Sequence, residues 1–440
     1  MRLVRALAPI VLAAVCAQFP ARAAEGDYGP VEVRKSEAAL MKSVSDTEEM
    51  FLRRGYRYNS PELENLVTRI GERLAPAPTD PYIRYRFHIV RDPELNAFAL
   101  PDGQVYVNTG ILAAFENEAQ LAAVLAHEVH HTAGHHTILE YRSIRSKVIA
   151  DMVLGPITFG VSDIFLEMSV YGHSRDLEEE ADRRGAPKML EAGYDPREMP
   201  RVFEIMLQDP EEENPKRATA WSTHPQLQAR VEYTRAIARD LLKDVDPASL
   251  RVEAAGYRQL AGRVSLQTVG DLIAADYPRS AVALARRLTA EDPADGAREV
   301  ALGDATRALG ARSAPGGEDA PSNAEKKQHE RDRRVLTRRE REAEREATPE
   351  GKGNLRRNLE AARQIYLRAL ELEPDTPEAH RGLGYALMGL DDAEGAGREF
   401  VIYLRSSPDA LDKPIILQHL KTLTQTIKKG SAADDTSRTH

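Results

Sequence analysis

Cysteine is almost absent from this chain: its 440 residues include one, Cys16. Because Cys16 lies in an N-terminal segment that we predict to be removed, the mature chain would have no disulfide bond. Any bound metal ion would then depend on histidine and carboxylate side chains. Attachment of a lipid to Cys16 is disfavoured, because a lipoprotein signal has a small residue before the cysteine and Val15 is not small.

The chain also lacks an excess of positive charge. Its formal net charge is −9, and loss of Arg2, Arg5 and Arg22 with the N-terminal segment would change it to −12. An acidic exported chain is a poor candidate for binding nucleic acid, so we expect no nucleic-acid partner.

No long uncharged apolar run follows the N-terminal segment. The most apolar later stretch, residues 143–172, is interrupted by Asp151, Asp163 and Glu167. Charges at these intervals argue against a membrane span, so we expect no transmembrane anchor. The stretch is compatible with a cover over a cleft, with a surface for a partner or a bilayer, and with an ordinary pair of helices.

The N-terminus has the pattern of a cleavable export signal. Residues 1–5 are basic, Ala6–Val15 is apolar, and Ala21–Ala23 offers small residues for cleavage. This apolar run is too short to span a membrane. We therefore predict a signal peptide over residues 1–23, with cleavage near Ala23, and export to a bacterial periplasm.

An amphipathic helix is predicted from Glu118 to His136, and it contains an HExxH motif. His127 and His131 are four residues apart, so both can reach one metal ion, with Glu128 near enough to hold a metal-bound water. A chance match, or two histidines satisfied within a core, is the alternative. It is disfavoured because burying these polar groups without partners costs free energy. His130 faces away from the pair and needs no role.

Strands are predicted directly before this helix. A helix should begin at Pro61, capped by Ser60, and should end near Leu74. The alternating stretches that follow predict strands at Tyr82–Arg91, Asn96–Leu100 and Gln104–Asn108. The fold class predicted is α+β: a mostly helical zincin-type domain with a small β-sheet, followed by an all-α repeat domain.

The strand next to the motif helix suggests a site for binding an extended peptide substrate. An exposed edge strand can pair with an extended peptide through backbone hydrogen bonds, without requiring a particular sequence. We assign this role to Asn96, Ala97, Phe98 and Ala99. A purely structural sheet that covers the helix is the alternative.

The third metal ligand must come from elsewhere in the chain. A metzincin would have histidine at position 137, but this residue is Thr137. A later helix within Gly172–Gly185 supplies Glu178 and Asp182, four residues apart on one face.

These residues resemble the HtpX-like and CAAX-prenyl-protease-like zinc endopeptidases. Ser174–Gly185 is similar to the SRxxExEADxxG signature of that family, and Asn96–Gly110 is similar to its NAFAxPGG stretch, with Asp102 where glycine is usual. The resemblance covers roughly residues 36–241. It also includes His136, Thr223–Pro225 and Arg230.

The resemblance implies a set of roles. His127, His131 and Glu178 would bind one zinc ion per chain, and Glu128 would be the catalytic base. Asp182 would hold His127 or His131 in its metal-binding tautomer.

His224 is the further catalytic residue that the resemblance implies. It would lie near the metal and either stabilise the oxyanion or occupy the open position at rest. The sequence leaves open whether His224 or residues 143–172 block the zinc.

Helical spacing continues through the C-terminal half, where Pro374 and Pro408 are 34 residues apart. Small and aromatic residues precede both prolines at offsets that resemble tetratricopeptide repeats. An ordinary helical bundle is the alternative. We assign residues 24–245 to the protease domain and 246–427 to the repeats, with a charged insertion at about 311–350 and a disordered tail at 428–440.

The combination resembles the BepA-type periplasmic chaperone–proteases. It implies a zinc endopeptidase that hydrolyses misfolded or stalled envelope and outer-membrane proteins, with repeats that bind polypeptide substrates or the outer-membrane assembly machinery. The alternative is a chaperone or assembly scaffold that retains the metal and cleaves little.

Overall fold

The computed structural model describes most of the chain: residues 56–77, 80–140, 173–210, 227–311 and 349–437, together with Val33, Glu37 and Arg142. The chain divides into two compact units, Met1–Thr268 and Val269–His440. The predicted signal peptide, the apolar stretch 143–172 and nearly all of the charged insertion lie outside the described residues.

The first unit combines helices with a small sheet. Its helices are α1 (Pro61–Leu74), α2 (Thr109–Ala114), α3 (Glu118–Ala133), α4 (Arg175–Glu191), α5 (Glu198–Leu207), α6 (Leu227–Leu241) and α7 (Ala254–Ala274), and its strands are β1 (Arg86–Val90), β2 (Ala97–Ala99) and β3 (Gln104–Asn108). Helix α7 continues into the second unit.

Helix α1 begins and ends as its sequence predicts. The Ser60 hydroxyl accepts a hydrogen bond from the backbone N–H of Leu63, and Pro61 occupies the first turn, where its missing N–H costs nothing. Its buried side chains form one stripe that packs against β1 and α3. The stripe consists of Leu63, Leu66, Val67, Ile70, Gly71 and Leu74.

The sheet has the order β1-β3-β2, with β3 parallel to β1 and antiparallel to β2. Strand β3 has the predicted bounds, but β1 begins at Arg86 instead of Tyr82. The reason is a turn at Asp80, whose side chain accepts the N–H of Tyr82 and whose carbonyl accepts the N–H of Ile83. The alternation of polar and apolar residues therefore begins at Tyr82, within this turn, before the first residue that belongs to the sheet.

Helix α3 lies at the centre of the first unit. Every residue from Glu118 to Thr132 is buried, because α1, the sheet, α4 and α5 all pack against this helix. Helix α6, which follows later in the chain, packs against α4 and α5. The site that the motif predicts is therefore inside the core of the unit.

The second unit is a series of paired helices. They are α8 (Pro278–Glu291), α9 (Gly296–Ala311), α10 (Pro349–Leu372), α11 (Pro377–Gly389), α12 (Ala393–Ser406) and α13 (Lys413–Ser437), and each packs against the next. Together with the small sheet of the first unit, this arrangement confirms the predicted fold class. None of the helices in the described part of the chain combines the length and apolar character needed to cross a membrane.

At the level of domains, two further boundaries differ from those expected from the sequence. The division between units falls after Thr268, not at 245, because Tyr257, Ala261 and Val264 of α7 join the core of the first unit. Helix α13 runs to Ser437, well into the stretch predicted to be a disordered tail. No proline follows Pro414 to interrupt this helix.

Candidate metal centre

The HExxH motif lies in the second half of α3. Asn117 caps this helix, since its side chain accepts the N–H of Gln120 at 2.9 Å. His127 and His131 are one turn apart, so their rings meet edge to face, with ring centroids 4.5 Å apart and planes at 76°. Helix α4 packs along α3 and carries Glu178 to the same place.

Three ligand atoms converge at this point. The Nε2 atoms of His127 and His131 are 2.9 Å apart. Each lies 3.4 Å from one carboxylate oxygen of Glu178. All three side chains are buried. Within the described residues, this is the group of histidine and carboxylate side chains placed to share one metal ion.

The spacing of these atoms fits a small divalent cation. Tetrahedral ligands that bind zinc at 2.0–2.1 Å lie about 3.3 Å from one another, close to the separations from Glu178. Two imidazoles and one carboxylate also form the donor set of several three-ligand catalytic zinc sites, which keep a fourth position for water or substrate.

Asp182 sets the orientation of His127. Its Oδ1 accepts a hydrogen bond from Nδ1 of His127 at 2.8 Å, which leaves Nε2 of the ring as the metal-facing atom. Burial opposes protonation of His127, but Asp182 and Glu178 outweigh burial and raise its pKa to about 9. The negative charge that favours a proton here also favours a metal cation.

Arg230 of α6 supplies a positive charge that offsets part of the negative charge of these acids. Its guanidinium donates to both oxygens of Asp182, at 2.8 and 2.9 Å, and to Oε2 of Glu178 at 2.8 Å. It is 2% exposed and stacks over the ring of Phe203, 4.2 Å from the ring centroid. Tyr233 also donates to Asp182. A buried carboxylate pair is thereby held in a fixed geometry.

The other motif histidines have different surroundings. His130 is buried and donates from Nδ1 to the carbonyl of Ala126 at 2.6 Å, as expected for a packing residue. Nδ1 of His136 lies 2.9 Å from Nδ1 of His131. If Nε2 of His131 binds a metal, its Nδ1 carries the proton and donates it to His136.

Glu128 follows His127 on α3, is buried, and interacts electrostatically with His127 and Glu178. Its pKa is raised to about 7, chiefly because the carboxyl group is removed from water; His127 opposes the rise and Glu178 adds to it. A carboxyl group that titrates near neutral pH can both accept and return a proton.

The predicted edge strand lies next to the motif helix. Strand β2 is at an edge of the sheet and packs against α3, and Thr132 donates to the carbonyl of Leu100 at its end. Asn96, Phe98 and Leu100 pair with β3. By strand alternation, Ala97 and Ala99 point their N–H and C=O groups away from β3. These groups have no hydrogen bond to another described residue. The strand is nevertheless buried along its whole length, so it is not the exposed edge strand that the sequence predicts.

Residues 61–238 match the sequence profile of peptidase family M48. This stretch is a family M48 peptidase domain. The match contains all of the residues that converge on the metal centre, and it confirms the family that the sequence motifs indicate. Residues 356–391 match a tetratricopeptide repeat, which confirms the predicted repeat type.

Curated relatives of the M48 domain include bacterial and mitochondrial proteins. A putative beta-barrel assembly-enhancing protease of Vibrio cholerae is 30% identical over 41% of this chain and 40% of its own length. Mitochondrial metalloendopeptidase OMA1 of Schizosaccharomyces pombe is 33% identical over 38% of this chain and 50% of its own length. The beta-barrel assembly-enhancing protease of Escherichia coli K12 is 25% identical over 42% of this chain and 40% of its own length. The chain thus spans about half or less of the length of these relatives.

One predicted site residue cannot be located. His224, with Thr223 and Pro225, lies outside the described residues of the M48 domain, as does the whole 143–172 stretch. The roles assigned to them from the sequence remain predictions.

The structure also adds residues for which the sequence analysis predicted no role. Arg230 belongs to the family resemblance, but its contacts with Asp182 and Glu178 join helices that are far apart in sequence. His173 and Glu140 belong to none of the sequence motifs. The ring of His173 lies against that of His131. Glu140 accepts hydrogen bonds from His173 and from the backbone N–H of Ser174, at the start of α4. An alternation or a spacing rule within one element cannot detect such contacts.

Proposed function

We propose that this chain is a zinc-dependent endopeptidase that hydrolyses peptide bonds of misfolded or stalled envelope and outer-membrane proteins in the periplasm. The observation that carries the proposal is the convergence of His127, His131 and Glu178 on one point, with buried Glu128 following His127 on α3. The match to family M48 over residues 61–238 supports the same reaction class.

The donor set favours zinc among divalent cations, because imidazole and carboxylate ligands in a small three-ligand site suit zinc. When bound, zinc supplies Lewis acidity, which polarises a peptide carbonyl and makes water a stronger acid. His127, His131 and Glu178 hold the cation. Asp182 keeps His127 in the tautomer that exposes Nε2.

Glu128 is the proton carrier in this proposal. Its carboxylate accepts the proton of the attacking water and returns it to the amine that leaves. The raised pKa of Glu128 supports this role, since an ordinary glutamate would be too weak a base to hold the proton near neutral pH. A bound cation would lower this pKa and favour the proton-accepting form.

The edge of β2 that faces away from β3 supports a substrate site with low sequence selectivity, although Ala97–Ala99 are buried in this structure. A peptide paired with Ala97 and Ala99 would be bound through backbone groups, next to the helix that carries His131. Unfolded chains present extended backbone along much of their length, whereas folded proteins pair or cover most of theirs. The repeats would then select the substrate or dock the outer-membrane assembly machinery, a role in keeping with stacked helical repeats.

The decisive test compares the full chain with its Glu128→Gln variant on casein and on an unfolded outer-membrane protein. The variant should retain bound zinc, measured by elemental analysis, and should lose at least 100-fold in cleavage rate. Glu179→Gln is the matched control, because Glu179 lies on α4 with an exposed side chain paired with Arg183. Unchanged cleavage by Glu128→Gln would refute the proposed base.

Two further results bear on the proposal. If neither the wild type nor the variant cleaves, the chain is better described as a metal-retaining chaperone or assembly scaffold. N-terminal sequencing of the exported chain checks the compartment, since removal of the predicted signal should leave a new N-terminus near Ala24.

A further inference from the structure

His173 lies against the metal centre without belonging to either ligand-bearing helix. It is the residue before Ser174, which occupies the N-cap position of α4. Its ring is stacked on that of His131, with centroids 4.0 Å apart and planes at 17°. Both rings are buried. A flat contact of this kind restricts rotation of the His131 ring about its Cβ–Cγ bond.

Glu140 holds His173 from the other side. Oε2 of Glu140 accepts a hydrogen bond from Nδ1 of His173 at 2.9 Å, and Oε1 accepts the backbone N–H of Ser174 at 2.5 Å. One buried carboxylate therefore binds two consecutive residues at the start of α4. A negative charge at a helix N-terminus is also favoured by the helix dipole.

These contacts connect the two parts of the chain that supply ligands. Glu140 belongs to the helical turn at 136–140, directly after α3. Ser174 begins the helix that carries Glu178, and its carbonyl accepts the N–H of Glu178 at 3.0 Å. The position of Glu178 relative to His131 thus depends on where Glu140 fixes the first turn of α4.

We propose that Glu140 and His173 form a clasp that positions two metal ligands: the ring of His131 by stacking, and the carboxylate of Glu178 through the start of α4. His173 is a positioning residue in this account and does not bind the metal. The proposal rests on the proposed function only insofar as His127, His131 and Glu178 bind a divalent cation.

The test is metal binding by the full-length chain, measured with zinc against a competing chelator and with cobalt by visible absorption. His173→Ala should raise the Kd for zinc about 10–100-fold and should alter the cobalt spectrum, which reports ligand geometry. His173→Phe keeps a flat ring against His131 but cannot bond to Glu140, so it should recover part of the lost affinity. Glu140→Gln keeps an acceptor for Ser174 and should show an intermediate loss.

The control is His380→Ala, because His380 makes a similar pair with Glu399 in the repeat unit. This variant should bind zinc like the wild type. Wild-type affinity and an unchanged cobalt spectrum in His173→Ala would overturn the clasp, as would equal losses in the Ala and Phe variants. Circular dichroism shows whether His173→Ala folds. If it does not, His173→Phe and Glu140→Gln are used to test the clasp. Zinc binding like that of the wild type in both of these variants would overturn it.

Failure of the clasp and failure of the proposed protease function give different experimental results. Zinc affinity and the cobalt spectrum require no substrate, so a chain that binds zinc but cleaves nothing still tests the clasp. Loss of cleavage by Glu128→Gln, with the cobalt spectrum of His173→Ala unchanged, would leave the protease proposal intact and refute the clasp.

Discussion

Nη1 of Arg230 donates a hydrogen bond to Oε2 of Glu178 at 2.8 Å, deep in the core of the first unit. The two residues come from different helices, α6 and α4. The bond occupies Oε2 of Glu178, while Oε1 lies 3.4 Å from Nε2 of His131. Arg230 thus orients the carboxylate and at the same time compensates the charge of Asp182.

Replacing Arg230 should destabilise the chain more than replacing a surface arginine on the same helix. Arg230→Met leaves two buried carboxylates without their guanidinium partner, so the free energy of unfolding of the metal-free chain should fall by about 3–5 kcal/mol. Arg235→Met is the control: Arg235 is 55% exposed in its pair with Glu204, and its loss should cost about 1 kcal/mol or less. Urea unfolding in the presence of chelator measures both, and similar losses would contradict the role of Arg230.

His130 should make the chain sensitive to acid. Burial lowers the pKa of His130 to about 4 from an ordinary value of 6.5, so the unfolded chain takes up this proton more readily than the folded chain. The contribution of the neutral ring to stability is therefore complete above pH 6.5 and is lost as the pH falls through about 4. The loss is of order 3 kcal/mol for the shift involved.

The variant His130→Gln isolates this effect. The difference in unfolding free energy between wild type and variant should change by that amount between pH 7 and pH 4, with the wild type losing more. Urea unfolding at four or five pH values gives the difference directly. Parallel pH profiles for the two proteins would show that His130 does not titrate differently in the folded chain.

Substrate binding should protect two backbone amides of β2 from hydrogen exchange. In the Glu128→Gln variant with a bound unfolded polypeptide, the amides of Ala97 and Ala99 should exchange more slowly, because an added strand would accept their hydrogen bonds. The amide of Phe98 is an internal control, since it already pairs with Tyr106. Residue-resolved exchange with no change at Ala97 and Ala99 would exclude this edge as the binding surface.

Two glycines of the repeat unit should respond oppositely to alanine. A Cβ at Gly384 in α11 would lie 2.7 Å from the buried ring of Phe400, so Gly384→Ala should cost about 1–3 kcal/mol through overpacking. A Cβ at Gly397 in α12 would meet nothing within 4 Å, and Gly397→Ala should stabilise the helix by about 0.5–1 kcal/mol. Thermal unfolding of the two variants measures the difference, and equal effects would contradict close packing at Gly384.

Predictions within one element were the most accurate. Ser60 and Pro61 fixed the start of α1, and alternation over Gln104–Asn108 gave β3 its exact bounds. Alternation failed at Tyr82, because a side chain of Asp80 made a turn there. The compact units divide after Thr268 instead of at the expected position 245, because Tyr257 packs into the core of the first unit, a contact that helical spacing does not report.

The sequence alone determined that His127 and His131 share a helix face, because four residues make about one helical turn. It also determined that the chain resembles a zinc peptidase with helical repeats, since the ordered motifs identify the family. Only the tertiary structure decided that Glu178 meets both imidazoles, that Asp182 binds His127 rather than His131, and that Arg230 binds both carboxylates. Those contacts join helices α3, α4 and α6, and their distances depend on how the helices pack rather than on spacing along the chain.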